Sequence, residues 1–153
     1  MMARVRNKDS KAELALRRAL HARGLRYRLH AKDVPGRPDL IIRSKKVAIF
    51  VDGDFWHGNE HLRRGLPSLA ELFPTRTEWW VAKIERNMTR DREVEDLLRR
   101  DGWAVARAWE SEVLKDPDAT AVRILSQINT PTVSVSQSVG TSPGSDESRS
   151  LAP

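Results

Sequence analysis

The sequence has no cysteine, only one tyrosine and no apolar run long enough to cross a membrane. Without cysteine, the 153-residue chain can form neither a disulfide framework nor a thiolate metal site. The longest apolar run, residues 47–51, is far shorter than the roughly 20 residues that a membrane-spanning helix needs. The N-terminus is basic and lacks the apolar segment of a signal peptide. We therefore expect a cytoplasmic protein that does not contact a membrane.

Positive charge exceeds negative charge, with 27 lysines and arginines against 21 aspartates and glutamates and a net charge of +6. Basic proteins bind nucleic acids by releasing condensed counterions, an interaction that does not read base sequence. Many basic proteins have no nucleic-acid partner, so the imbalance alone leaves DNA binding open.

The spacing of apolar residues predicts an α/β fold, a small mixed sheet with a central β-hairpin that is flanked by helices. Residues 58–74 contain two glycines and two prolines, which predict a long loop. From residue 130 the chain has almost no large apolar residue, which predicts a disordered tail, 130–153, after a folded domain, 1–129. The predicted elements are helix 10–23, strand 25–29, hairpin strands 39–42 and 46–52, a helix from a capping box at 75–78 to Gly102, strand 103–110 and helix 121–128.

The hairpin is predicted to bring two carboxylates together. With a two-residue loop at 44–45, Asp39 faces Phe50, and Asp52 lies diagonally from Asp39 on the same face of the sheet. Diagonal neighbours are roughly 7–8 Å apart, a distance that one or two cations could span. A three-residue loop would reverse this parity, so the prediction depends on the turn.

Residues 50–61, Phe-Val-Asp-Gly-Asp-Phe-Trp-His-Gly-Asn-Glu-His, follow an apolar strand at a position where catalytic groups often lie. Aspartate supplies hard oxygen ligands for a divalent cation, and histidine supplies a base that titrates near neutral pH. Adjacent aromatic rings offer flat surfaces on which nucleobases stack. This combination predicts metal-dependent phosphodiester chemistry.

Each of these residues also has a purely structural interpretation. Glu13 completes a capping box with the serine three residues before it, and Asp39 and Asp52 could simply form turns. His57 could be a solvated loop histidine, and the Phe-Trp pair before it could belong to the core. The other tryptophans lie at core spacing and are assigned to packing: Trp79, Trp80, Trp103 and Trp109.

Four blocks of sequence occur in order over about residues 2–128: Asp-Val-Pro-Gly-Arg-Pro-Asp-Leu (33–40), Val-Asp-Gly-Asp-Phe-Trp-His-Gly (51–58), Thr-Arg-Thr-Glu-Trp-Trp with the Ile, Asn and Asp that follow it (75–91), and Gly-Trp-Ala-Val-Ala-Arg-Ala-Trp-Glu (102–110). In content and spacing these blocks resemble very short patch repair endonucleases. Those bacterial enzymes nick DNA beside a thymine mispaired with guanine, and their fold resembles that of type II restriction enzymes.

The resemblance implies roles for individual residues. Asp39 resembles the family's metal-binding aspartate, with the backbone carbonyl of Val51 completing the shell of the cation, Mg²⁺. His57 resembles the base that activates water, and Asp91 resembles its orienting partner, which would explain a carboxylate on the apolar stripe of a helix. Glu13 corresponds to an active-site glutamate on the first helix.

The resemblance also implies contacts with DNA. Phe55 and Trp56 resemble an aromatic wedge that enters the stacked bases, and Met2 falls near a third wedge residue. Arg4 and Arg6, in the basic N-terminal arm, are predicted to bind DNA as well. The implied partner is double-stranded DNA with a T:G mismatch. Other mismatch-repair proteins are candidate partners, and the enzyme is expected to be a monomer.

Three features depart from the family pattern. Asp52 stands where the best-studied members have a histidine, and its shared face with Asp39 predicts a second metal ligand. The N-terminal arm is shorter than in the family. Those members also hold a structural zinc with cysteine and histidine, whereas we predict no zinc here. The matching positions are Asp54, Asn59, His61 and Ser111.

Two other functions stay open at this point. A restriction or defence endonuclease on the same fold would cut without regard to a mismatch. A DNA-binding module that no longer cuts would need none of the reactive side chains, and the presence of Asp39, His57 and Asp91 argues against it.

Overall fold

The computed structural model describes residues 9–129, in which four strands form one mixed sheet flanked by five helices. The predicted DNA contacts Met2, Arg4 and Arg6 and the predicted tail 130–153 lie outside the described residues. The strands are β1 Arg28–Leu29, β2 Leu40–Ile42, β3 Val47–Asp52 and β4 Ala104–Trp109. The helices are α1 Lys11–Ala22, α2 Glu60–Arg63, α3 Thr77–Arg100, α4 Glu110–Lys115 and α5 Pro117–Asn129, with 3₁₀ turns at Arg43–Lys45 and Leu69–Leu72.

The β2–β3 hairpin has the predicted register. Leu40 pairs with Ile49 and Ile42 pairs with Val47 in an antiparallel ladder. The turn is longer than predicted, because it runs through a 3₁₀ turn and ends at Lys46, whose φ of 50° is left-handed. The predicted turn, residues 44–45, and the observed turn, residues 43–46, each contain an even number of residues. The same side chains therefore face the same side of the sheet, and the prediction is confirmed.

Strand β3 lies in the middle of the sheet, between antiparallel β2 and parallel β4. Helix α3 is the crossover that carries the chain from the end of β3 back to the start of β4, as a parallel pair requires. Residues 47–50 are buried, which explains their continuous apolar sequence. The carboxyl ends of β3 and β4 therefore meet at one edge of the sheet.

The core has two parts, one on each face of the sheet. On one face, residues of α1 and α5, including Leu16, Leu20 and Ile124, pack against strand residues such as Leu40 and Ile49. On the other face, Leu98 of α3 packs with buried strand residues that include Phe50. Helices thus cover both faces, in agreement with the predicted α/β architecture. Within residues 9–129, no helix has the length and apolar character to span a membrane.

Several predicted boundaries are wrong, mostly at short elements. Strand β1 covers only Arg28–Leu29, and the predicted loop 58–74 contains α2 and a 3₁₀ turn. Helix α4 was not predicted, and α5 begins at Pro117 rather than at residue 121. The capping box at 75–78 does not form, because Arg76 is left-handed and the Thr77 hydroxyl donates to the Phe73 carbonyl oxygen at 2.5 Å. Elements of two to six residues are too short for a periodic apolar pattern.

Candidate active site

A cleft of about 670 Å³ opens at the edge of the sheet where β3 and β4 end. Ligand sites in α/β proteins commonly lie at the carboxyl ends of parallel strands. The predicted catalytic side chains come from α1, the start of β2, the end of β3, the following loop and α3, yet all of them line this cleft. They are Glu13, Asp39, Asp52, His57 and Asp91.

Asp39 lies just before β2, and its Oδ2 accepts a hydrogen bond from the Val51 backbone N–H at 2.7 Å. The pKa of Asp39 is raised to about 7, chiefly by burial; the negative charges of Glu13 and Asp52 contribute to this rise, and the hydrogen bond from Val51 opposes it. The carboxylate is therefore short of positive charge. Since Val51 also lines the cleft, the donor set suits a hard divalent cation, which would favour the ionised form of Asp39.

Glu13 on α1 is only 4% exposed. It combines features of both predicted roles, the capping residue and the active-site carboxylate. Ser10 Oγ accepts from the Glu13 backbone N–H at 3.2 Å, which is one half of a capping box. The Glu13 carboxylate does not return to Ser10. Its Oε2 accepts instead from Arg17 Nη2 at 2.9 Å and from the Asp9 backbone N–H at 3.1 Å. Glu13 thus caps through its main chain while its carboxylate lines the cleft.

His57 and Asp91 form a pair, with 2.5 Å between His57 Nδ1 and Asp91 Oδ2. A proton on Nδ1 would be donated to Asp91, leaving the Nε2 lone pair free to accept a proton. Burial would lower the pKa of His57, but the hydrogen bond to Asp91 and the charge of Asp52 outweigh it and raise that pKa above its ordinary value. The imidazole can act as a base only above this raised pKa.

Asp52, at the end of β3, is 6% exposed and lies between Arg107 and His57. Its Oδ2 accepts from Arg107 Nη1 at 2.9 Å, and its Oδ1 lies 3.9 Å from His57 Nε2. Burial raises the pKa of Asp52, while His57 and Arg107 oppose that rise. Ligand atoms of Asp52, His57 and Asp91 lie within 4.8 Å of one another, close enough to hold a metal ion.

Arg107 also lines the cleft, and the sequence analysis missed it. It lies on β4, pairs in register with Phe50 of β3, and places its guanidinium carbon 4.3 Å from the centre of the Phe50 ring. The sequence signal was a single arginine within an apolar strand, in Ala-Val-Ala-Arg-Ala-Trp. Its position beside Asp52 depends on the parallel pairing of β3 with β4, which no sequence pattern indicated.

The loop that carries His57 is fixed through Asp54, which is 8% exposed. Asp54 Oδ1 accepts from Asn59 Nδ2 at 2.8 Å and from Ser111 Oγ at 2.6 Å, and its Oδ2 accepts from the Ser111 N–H at 2.9 Å. Although burial raises the pKa of Asp54, the hydrogen bonds from Ser111 and Asn59 lower it below the usual value. Asp54 therefore joins the loop to the start of α4.

Four positions of this chain match the zinc ligands of the best-studied family members. Two of them, Asn59 and Ser111, donate hydrogen bonds to a third, Asp54. The fourth, His61, has a buried Nδ1 with no partner among the described residues. The absence of a structural zinc stays a prediction.

Phe55 and Trp56 both line the cleft and pack edge to face, with ring centroids 4.9 Å apart. Phe55 also contacts Phe73 and Trp80, which stack on each other at 5.2 Å, so it belongs to an aromatic cluster. Trp56 lies at the edge of that cluster, and its backbone carbonyl accepts from Asn87 Nδ2 at 3.0 Å. Of the pair, Trp56 is better placed to contact a ligand.

Trp79 is 44% exposed, so its assignment to packing is wrong. Its ring lies 4.6 Å from the Arg76 guanidinium carbon and 5.5 Å from Lys83 Nζ. Helix α3 turns this side chain outward because Trp80, one residue later, faces the aromatic cluster.

Gly58, directly after His57, is predicted to be intolerant of a side chain. Its φ is +83°, and an added Cβ would collide with Met88 Sδ of α3. Gly58→Ala should cost about 1–2 kcal/mol for the left-handed backbone and about 1 kcal/mol more for displacing Met88, and it should slow any reaction that uses His57. Chemical denaturation measures the free energy of unfolding.

The matched control is Gly24→Ala, because Gly24 has a φ of +89° but nothing within 4 Å of an added Cβ. This variant should show only the backbone cost and keep full activity. Equal losses of stability in the two variants would contradict the proposed contact with Met88.

Comparison with known proteins gives consistent matches. A family model described as DNA mismatch endonuclease Vsr matches residues 1–63. The type II nicking enzyme V.NmeDIP of Neisseria meningitidis serogroup C is 44% identical over 119 residues, which cover 78% of this chain and 77% of that protein. The type II nicking enzyme V.HpaIIP of Haemophilus parainfluenzae is 40% identical over 124 residues, covering 81% and 84%.

The DNA mismatch endonuclease Vsr of Escherichia coli K12 is 34% identical over 109 residues, which cover 71% of this chain and 66% of that protein. These relatives are enzymes that cleave DNA, and the two nicking enzymes align with more than three quarters of their length. The chain therefore belongs to the Vsr family of strand-nicking DNA endonucleases.

Proposed function

We propose that this endonuclease nicks one strand of duplex DNA beside a T:G mismatch in very short patch mismatch repair, with Mg²⁺ as its cofactor. One observation carries the proposal: Asp39 and the His57–Asp91 pair line the same cleft as Trp56. A cation ligand (Asp39), a general base (His57) and an aromatic stacking surface (Trp56) can therefore reach a single stretch of DNA.

Asp39 and the main chain at Val51 are the groups that would hold the cation. When bound, a divalent ion supplies charge stabilisation for the scissile phosphate and the leaving oxygen. Glu13 lines the same space and adds negative charge that favours cation binding, although its own carboxylate is paired with Arg17. This placement agrees with the pKa of Asp39, because a carboxylate that binds a proton tightly in a buried acidic site gains from a cation there.

His57 takes the proton of the attacking water on Nε2, while Asp91 holds Nδ1–H and so fixes the tautomer. The hydroxide formed in this way attacks phosphorus, and the bond to the leaving oxygen breaks. Asp52, 3.9 Å from Nε2, favours the imidazolium that results. The two carboxylates therefore contact opposite nitrogens of one ring.

Trp56, supported by Phe55, enters the base stack. Phe55 is held by Phe73 and Trp80, so its chief role is to support the Trp56 ring. Separating stacked bases costs less at a mismatch than at a Watson–Crick pair, which is one source of lesion preference. The predicted contacts of Met2, Arg4 and Arg6 would increase the affinity for the duplex.

A second candidate function follows from the similarity to type II nicking enzymes, whose names do not mention a mismatch. On that interpretation the enzyme nicks without regard to a mismatch. A module that binds DNA without cutting does not fit membership of a family of DNA-cleaving enzymes. We further propose that the enzyme works as a monomer on bacterial chromosomal DNA in the cytoplasm, with other mismatch-repair proteins as partners.

End-labelled duplexes that differ only at one pair, G·T or G·C, distinguish the two functions. With Mg²⁺, we expect nicking of the thymine strand of the G·T duplex to be at least about tenfold faster, since opening a mismatch saves more than about 1.4 kcal/mol. Trp56→Ala should reduce this ratio. Trp79→Ala is the matched control, because Trp79 is exposed but does not line the cleft. Equal rates on both duplexes would support the second function instead.

A further inference from the structure

Arg107 sits among oxygen atoms that would otherwise suit a metal ion. Its Nη1 donates to Asp52 Oδ2 at 2.9 Å, its Nη2 to the Asp91 backbone carbonyl at 3.2 Å and its Nε to Glu95 Oε2 at 3.3 Å. The three acceptors come from β3 and α3, and together they surround the guanidinium on the Asp52 side of the cleft.

We propose that the Arg107 guanidinium occupies the place of a second cation, so that the enzyme binds a single divalent ion, at Asp39. The inference rests on the proposed function, because it assumes that Asp39 holds a catalytic cation. It assigns to Arg107 the role of a positioning residue that neutralises Asp52, and it removes Asp52 from the ligands of the metal.

The geometry of Asp52 supports this assignment. One oxygen is already paired with a cation: Oδ2 accepts from Arg107 Nη1, while Oδ1 lies 3.9 Å from His57 Nε2, the atom that takes the proton in the proposed mechanism. Although Asp52, His57 and Asp91 are close enough to ligate an ion, a cation entering there would meet a guanidinium that cannot lose its charge. Displacing Arg107 would also leave its three hydrogen-bond acceptors without that donor.

A second acidic residue of the cleft, Glu13, also has an arginine partner. Glu13 is paired with Arg17, which is 9% exposed and also contacts Asp9 Oδ1 at 2.8 Å and His30 Nε2 at 3.1 Å. Of the three acidic side chains nearest the expected metal, Glu13 and Asp52 each have an arginine partner. Within residues 9–129, Asp39 has no such ion pair, and it accepts a hydrogen bond from the Val51 N–H. Asp39 is therefore the carboxylate that is open to a divalent ion.

Counting bound Mn²⁺ tests the inference without relying on activity. Electron paramagnetic resonance of free Mn²⁺, recorded with the full-length protein, should give one tightly bound ion per chain. Asp52→Asn should keep that ion and change its Kd by only about threefold, the size of a screened Coulomb effect across the cleft. Arg107→Met should gain a second bound Mn²⁺, which the Asp52→Asn, Arg107→Met double variant should lose.

Arg43→Met is the matched control, because it breaks an exposed ion pair with Asp33 and should leave the ion count at one. Two tightly bound ions in the unaltered protein would overturn the inference. So would loss of the ion in Asp52→Asn, a measurement that does not require Arg107→Met to fold, or a folded Arg107→Met that binds no second ion. Asp39→Asn separates the two proposals. If this variant keeps the ion, the metal placement in the proposed function is wrong.

Discussion

Asp39→Asn should abolish nicking and, at the same time, make the metal-free protein more stable at pH 8. The loss of activity follows from removing the negative ligand of the cation. Because metal-ion stabilisation of a transition state is worth several kcal/mol, the rate should fall by about a thousandfold or more. DNA affinity should stay nearly unchanged, since the variant leaves the predicted DNA contacts, Trp56 and the N-terminal arginines, intact.

The gain in stability follows from the raised pKa of Asp39. This pKa is about 7 in the folded protein against an ordinary value of 3.8, so the folded state binds the proton more tightly than the unfolded chain does. As pH rises from about 4 to 7, the folded state loses stability relative to the unfolded state, and the full cost is present above pH 7. At about 1.4 kcal/mol for each pKa unit, the cost is up to about 4 kcal/mol.

Asparagine keeps the shape and can still accept from the Val51 N–H, but it carries no charge to bury. Urea denaturation in EDTA at pH 8 should show the gain, and the gain should shrink near pH 4, where Asp39 of the unaltered protein is protonated. Asp33→Asn is the matched control. Asp33 is exposed, and the hydrogen bond from Arg43 lowers its pKa, so this variant should not gain stability. A less stable Asp39→Asn at pH 8 would contradict the assigned pKa shift.

His57→Ala should reduce the nicking rate by about a hundredfold to ten-thousandfold, the range typical for loss of a positioned general base. In the unaltered enzyme the rate should rise with pH through the raised pKa of His57 and then level off, because only neutral imidazole accepts a proton. His21→Ala, on the exposed side of α1, is the control and should leave the rate unchanged. Retention of most of the activity by His57→Ala would exclude this residue as the base.

Asp91→Asn tests the same pair from the other side. The hydrogen bond to Asp91 is the largest influence that raises the pKa of His57, so its weakening should move the rising part of the pH profile to lower pH. The plateau should also fall, because an amide can favour the wrong imidazole tautomer. A profile that does not move would show that Asp91 does not set the basicity of His57.

The sequence predicted those parts of the site that depend on local pattern or on family resemblance. The parity of the β2–β3 hairpin placed Asp39 and Asp52 toward one region, and Asp91 stood out as a carboxylate on an apolar stripe. The pairing of His57 with Asp91 followed from the resemblance. All the predicted catalytic side chains do line one cleft, although their chemical roles stay predictions.

The arginine partners could not be predicted in the same way. The Asp52–Arg107 and Glu13–Arg17 pairs depend on which strand lies beside β3 and on how deeply each acid is buried. With 27 lysines and arginines in the chain, composition does not indicate which of them pair with acids. The exposure of Trp79 was missed for a similar reason, because helical spacing does not tell which of two adjacent tryptophans faces inward.

The loop 53–59 has a further consequence, because Trp56 and His57 are neighbours in it and we expect them to move together. Asp54 ties the loop to α4, while Asn87 holds the Trp56 carbonyl and Asp91 holds the imidazole. A duplex that does not admit the indole would keep its phosphate out of reach of the imidazole. Such DNA would occupy the enzyme without being cut, so discrimination between substrates should appear mainly in kcat and only weakly in KM.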